Sequence, residues 1–199
     1  DIRENINFEK DLNFKIIFEN IRNNYLEKIN NLSKKKFITD KLPNNFENIG
    51  FIVNSIPEAK IIHVHRNPMA VCWSIYFNNF TNKSMGYSFD LKSIGEYYNI
   101  YKKLMIHFDK IYHDKIYHIQ YETFIDDHEF ETKRIIKYLG LEWENSILKY
   151  YTNDRVVNTA STLQVREPVY KGSSEDWKNY KAWLKPLMKT LDKYEIKYE

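Results

Sequence analysis

The sequence predicts an α/β fold, rich in helix with a short parallel sheet, in a single domain over residues 1–199. Two strand candidates and the helical spacing of apolar residues around them carry this reading. The first strand lies within Ala59-Lys-Ile-Ile-His-Val-His-Arg-Asn-Pro68, which runs on into Met69-Ala-Val-Cys-Trp-Ser74. Ile61, Ile62 and Val64 are β-branched and apolar, so they suit a strand packed inside a sheet. Asn67 is placed to cap the next helix, and Pro68 fits its first position, where a missing N–H costs nothing. The second strand candidate is Lys115-Ile-Tyr-His-Ile119, beyond a long helical stretch.

The remaining elements follow in order. Phe14, Phe18, Ile21, Tyr25, Ile29 and Leu32 recur at helical spacing and predict an amphipathic helix near residues 8 to 32. Lys34-Lys-Lys36 closes it, favourably placed at the negative helix end. Phe37-Ile-Thr39 is a candidate short strand. Ile49, Val53 and Ile56 mark a brief helix that stops before Pro57. Residues 81–90 form a polar loop, and Asp90 caps a long helix with Ile94, Tyr98, Tyr101, Met105 and Phe108 inward. Asp126 and Asp127 start another helix, ended at Leu139-Gly140-Leu141 by a glycine C-cap. Residues 155–172 lack a period and are expected to loop over the site. Residues 177–194 are expected to be helical with a break at Pro186.

Composition narrows the class. Apolar residues make up 43% and aromatics 16% of the chain, which excludes a disordered protein. The net charge is only +3, with both signs mixed along the chain, so a nucleic-acid module is disfavoured. A lone cysteine, Cys72, rules out an internal disulfide and suits a reducing, cytoplasmic setting. No apolar run reaches membrane-spanning length, so no membrane segment is expected.

Arg66 ends the first strand, where open α/β sheets place their ligands. Ser74 follows about two helical turns later and can point along the same side. An arginine fork, a serine hydroxyl and a helix N-terminus together suit an anion such as phosphate. Gly172 lets backbone approach an anion, and Lys171 beside it adds a cation. Each has a plainer reading: Arg66 as a carboxylate's partner, Ser74 as a helix serine bonded to its own backbone, Lys41 as a solvated surface lysine. His63 and His65 form His-x-His on a strand without a cysteine or a spaced carboxylate set, so sheet histidines are favoured over a metal site. Trp177 reads as a packing anchor, and Cys72 as a small buried side chain.

These motifs resemble the sulfotransferases that use 3′-phosphoadenosine 5′-phosphosulfate (PAPS). The Arg66–Ser74 pair matches the family's 3′-phosphate segment in type and spacing. Tyr170-Lys-Gly-Ser-Ser-Glu-Asp-Trp-Lys178 resembles the segment that closes over the nucleotide, with Lys171 and Gly172 at the matching positions and Tyr170 where the family often has arginine. Thr39-Asp-Lys-Leu-Pro43 resembles the Asp-Lys-x-Pro segment of tyrosylprotein and related bacterial sulfotransferases, whose lysine supports charge on the bridging oxygen; Lys41 takes that place. Asn158-Thr-Ala-Ser161 resembles the segment whose serine contacts the sulfate end of the donor. Tyr121 matches a tyrosine near the nucleotide. The matches keep family order from roughly Lys35 to Lys178.

The resemblance implies a P-loop NTPase-like sulfotransferase fold. It implies Arg66, Ser74, Tyr121, Lys171 and Gly172 as the nucleotide site, and Lys41 and Ser161 as catalytic residues. It also implies PAPS as the sulfuryl donor without a metal. The acceptor hydroxyl or amine, on a small molecule, a glycan or a protein tyrosine, is not readable. The family's P-loop-like Pro-Arg-Ser-Gly-Thr-Thr segment is not in this sequence, whose first glycine is Gly50 and whose first residue is Asp1. The expectation is therefore a domain lacking its N-terminal strand, that loop and the glutamate base that follows it in tyrosylprotein-type enzymes. The alternatives are a catalytically incomplete remnant that binds a nucleotide or a partner, and a P-loop nucleotide kinase. The kinase would need a Walker-type loop that the sequence does not contain.

Overall fold

The structure, a computed structural model, describes residues 13–78, 80, 83–153, 166–167 and 171–198. Among the described residues the chain is rich in helix with one two-stranded parallel sheet. The elements are α1 (Phe14–Leu32), α2 (Ile49–Ser55), β1 (Ile61–His65), α3 (Pro68–Phe77), α4 (Leu91–Tyr112), β2 (Ile116–Gln120), α5 (Tyr121–Asp126), α6 (His128–Leu139) and α7 (Lys185–Lys193). The α/β class agrees with the sequence. Two compact units are distinguishable: Asp1–Ile61 with Tyr101–Ile116, and Ile62–Ile100 with Tyr117–Glu199.

In the first unit, Asn13 caps α1 by accepting from the Ile16 amide. The apolar stripe of α1 is only partly used. Ile21 is buried, whereas Phe14 and Leu32 are exposed. Arg22 clamps Glu58 through both guanidinium nitrogens, at 2.8 and 2.5 Å, and also donates to the Ser55 carbonyl at the end of α2. The core packs Ile49, Met105 and Ile116 against Phe46, Val53, Ile61, Tyr101, Phe108 and Tyr112. Phe37-Ile-Thr39 is not a strand: Phe37 and Ile38 are exposed in irregular backbone. A segment this short, with no ladder beside it among the described residues, has no sheet to hold it extended.

The second unit has the larger core. Met69, Ala70, Cys72, Ile94, Trp177, Leu184, Leu187, Leu191 and Ile196 form one buried cluster. Trp177 is 1% exposed, in keeping with its reading as an anchor. Burial pushes the Cys72 thiol pKa well up, so the group is an inert core side chain. Gly95 on α4 lets α7 approach closely; a Cβ there would lie 2.8 Å from the Thr190 methyl.

Asn67 caps α3 as expected, accepting from the Ala70 amide at 3.1 Å, and Pro68 occupies the first turn. Asp90 caps α4 through the Ser93 amide. Asp127 caps α6, and Gly140, in the left-handed region at φ 71°, ends it. Several expectations change. β1 is not buried on both faces, because Ile62 and Val64 are 36% and 58% exposed. In a two-stranded sheet alternate residues face outward with no second layer described over them. Residues Lys83–Phe89, read as loop, form a 3₁₀ helix. Pro186 does not break a helix; it sits in the first turn of α7, where proline is tolerated, after a separate 3₁₀ segment at Asp176–Tyr180. The short α5 had no periodic signal. Much of the expected 155–172 loop lies outside the described residues.

Candidate functional site

Arg66 stands directly after β1, and three constraints hold it. Its Nε donates to Ser174 Oγ at 3.0 Å. Its guanidinium lies over the Tyr121 ring, 4.9 Å from the centroid. The backbone amide of the next residue, Asn67, donates to Glu122 Oε1 at 3.0 Å. Among the described residues, the two terminal guanidinium nitrogens make no hydrogen bond. No described residue thus occupies the edge of the fork that reads a phosphate or carboxylate.

Ser174 is buried and donates to the same Glu122 oxygen at 2.7 Å. Burial alone would raise the Glu122 pKa. The hydrogen bonds from Ser174 and the Asn67 amide, with the charge of Arg66, outweigh it and hold the carboxyl below its ordinary value of 4.5. Glu122 is therefore ionised at neutral pH. Its second oxygen, Oε2, is buried without a hydrogen-bond partner among the described residues.

The Lys171–Ser174 segment is tied to α5 at three points. Lys171 Nζ pairs with Asp126 Oδ1 at 2.7 Å, Ser173 Oγ lies 3.3 Å from the Tyr121 hydroxyl, and Ser174 bonds Glu122. Gly172 takes φ 109°, a conformation that favours glycine, and space for a side chain there is open. The Lys171–Asp126 pair is 67% exposed on both sides, so an anion can compete for the lysine at little cost.

The structure thus gathers Arg66, Tyr121, Lys171 and Gly172 into one unit. Ser74 lies further along α3 and is not joined to this network. Its carbonyl and hydroxyl both accept from the Asn78 side chain, at 2.7 and 3.4 Å. Lys41 belongs to the other unit and is exposed. The residue before it, Asp40, accepts from the Tyr25 hydroxyl at 3.0 Å. Burial and that carboxylate push the Tyr25 pKa up to about 12. Ser161 lies outside the described residues.

Glu122, Asp126, Ser173 and Ser174 were missed as site residues. Ser173 and Ser174 stood inside a quoted motif and Glu122 directly after Tyr121, but their partners are far away in the chain and carry no sequence signal. The His-x-His pair resolves differently. His63 Nδ1 meets His118 Nδ1 at 2.9 Å across the two strands, and the His65 ring lies tilted to His63 and edge-on to His118. Among the described residues, no group of three or more His, Cys, Asp or Glu side chains is arranged to hold a metal ion.

The sequence profile of the sulfotransferase family matches residues 3–145. The chain belongs to the sulfotransferase family. That match takes in Lys41, Arg66, Ser74, Tyr121 and Glu122, while Lys171 to Ser174 lie beyond it. The chain is also similar to an uncharacterized protein of Aquifex aeolicus (strain VF5), 37% identical over 170 residues. That alignment covers 84% of this chain and 22% of the relative, so the chain spans about a fifth of the relative's length. Among the described residues, no helix is long and apolar enough to cross a membrane.

Proposed function

We propose that the chain binds PAPS through the 3′-phosphate of the nucleotide and takes part in sulfuryl transfer to an acceptor hydroxyl or amine by in-line displacement. The observation that carries this reading is Arg66: its guanidinium lies over Tyr121 and its Nε is held by Ser174, while its terminal nitrogens bond none of the described residues. Lys171 supplies a second cation within the same unit, on a segment whose glycine exposes backbone. Arg66 and Lys171 bind the 3′-phosphate, and Gly172 gives it backbone access. Ser74 donates a hydrogen bond from its hydroxyl to the same phosphate, which the hydrogen bond it accepts from Asn78 does not prevent. Tyr121 orients the arginine and lies near the nucleotide. Lys41 and Ser161 support the charge that collects on the leaving phosphate and the transferring group. The contribution of such groups is positioning and charge stabilisation, as in phosphoryl transfer.

The test is calorimetric titration of the folded chain with adenosine 3′,5′-bisphosphate and, separately, with 5′-ADP. The bisphosphate should bind more tightly, and Arg66→Ala should erase the difference. Equal binding of the two would remove the 3′-phosphate clamp and leave a general nucleotide protein.

A further inference from the structure

We propose that Glu122 is a positioning residue that acts through Ser174 to set the direction of the Arg66 fork and to seat the Lys171–Ser174 segment against the start of α3. The proposal rests on the nucleotide reading above and adds a residue to it. Arg66 carries five donors in a rigid plane, so fixing one edge and one face fixes where the other edge points. The face rests on Tyr121, and the Nε edge is held by Ser174. A serine hydroxyl can turn, and it holds Nε only while a lone pair faces the arginine. Glu122 Oε1, 2.7 Å away, removes that freedom by accepting the hydrogen bond that the hydroxyl donates. Ser174 is then left as an acceptor toward Arg66.

The same carboxylate oxygen receives the Asn67 amide at 3.0 Å. One atom of Glu122 thus meets the backbone next to Arg66 and the hydroxyl that holds the Arg66 side chain, 52 residues away from Ser174 in the chain. No hydrogen bond joins Glu122 directly to Arg66. A direct two-pronged pair would consume the guanidinium edge needed for phosphate. The serine relay orients the arginine and leaves that edge free.

The experiment compares affinities for adenosine 3′,5′-bisphosphate and adenosine 5′-monophosphate in the unaltered chain and in Ser174→Ala, Glu122→Ala, Glu122→Gln and the double alanine variant. Thermal melts accompany each. A hydrogen bond to a charged group is worth enough that Ser174→Ala and Glu122→Ala should each cut the 3′-phosphate preference roughly tenfold. The double variant should lose no more than either single one, because both break one relay. Glu122→Gln should restore most of the preference, since an amide oxygen still accepts from Ser174 and Asn67. Ser174→Ala removes one oxygen and keeps the test decisive if Glu122→Ala does not fold. A parallel loss of affinity for both nucleotides, additive losses, or an unchanged preference in folded Ser174→Ala would each overturn the proposal. An unaltered chain with no 3′-phosphate preference would overturn the nucleotide reading itself and the positioning role with it. That outcome shows before any variant is made.

Discussion

Arg66 and Ser174 stand 108 residues apart in the chain and meet through a 3.0 Å hydrogen bond from the guanidinium Nε to the serine hydroxyl. The bond spends the one guanidinium edge that a bidentate phosphate contact does not need. A lysine in that place would carry the charge but have no planar fork to divide between two partners. Arg66→Lys is therefore expected to keep binding to 5′-nucleotides while losing about tenfold or more of the preference for a 3′-phosphate. Calorimetry with adenosine 3′,5′-bisphosphate and 5′-ADP checks this. A lysine variant that keeps the full preference would show that charge alone makes the site.

Asp126 competes with any anion for Lys171. Asp126→Asn should tighten adenosine 3′,5′-bisphosphate binding by up to about fivefold at low salt, in line with the small worth of an exposed ion pair. The gain should shrink as salt rises and screens the lysine. Weaker binding in this variant would mean that Asp126 serves mainly to hold the segment in place.

Gly172 is at φ 109° with nothing near its missing side chain. Gly172→Ala should thus cost backbone strain alone, of about 1–3 kcal/mol. The segment lies at the site rather than in the core, so nucleotide affinity should fall more than the melting temperature. Equal affinity in the variant would show that the glycine conformation is not needed for binding.

Gly95 makes the opposite case. An alanine Cβ would lie 2.8 and 2.9 Å from two carbons of Thr190, within a packed cluster. Helix propensity favours alanine by about 1 kcal/mol, but the overlap involves an atom next to the α7 backbone and should win. Gly95→Ala should destabilise by about 1–3 kcal/mol in denaturant titrations. A more stable variant would mean that α7 shifts easily against α4.

His65 carries the pH dependence. Burial, then the neighbouring His118 charge, lowers its pKa from 6.5, and Glu122 only partly opposes them. The unfolded chain therefore binds this proton more readily than the folded one. The stability associated with a neutral His65 is complete above pH 6.5 and declines as the pH falls from there through the lowered folded value. Melting temperatures should drop across that window, and His65→Gln should flatten the slope. An unchanged slope would assign the dependence to other groups.

How much was legible from the chain depended on the range of the interaction. The Asn67 and Asp127 caps, the Pro68 start and the Gly140 stop all act within one turn, so adjacent residues specify them. α4 was equally clear, because its inward residues repeat at helical spacing over a long stretch. Phe37–Thr39 misled because β-favouring residues form a strand only where a neighbouring ladder exists. Pro186 misled because a proline inside a helix and one in a first turn look alike until the helix start is known.

The site divides in the same way. The sequence by itself determined the family, the strand–Arg66–helix unit and the Lys171–Gly172 pair, since each is a local pattern of residue type and spacing. Only the tertiary structure decided that Ser174 bonds both Arg66 and Glu122, and that α5 grips the Lys171–Ser174 segment. A buried polar group takes whichever partner the packing of distant segments brings within about 3 Å, and that choice leaves no periodic trace in the chain.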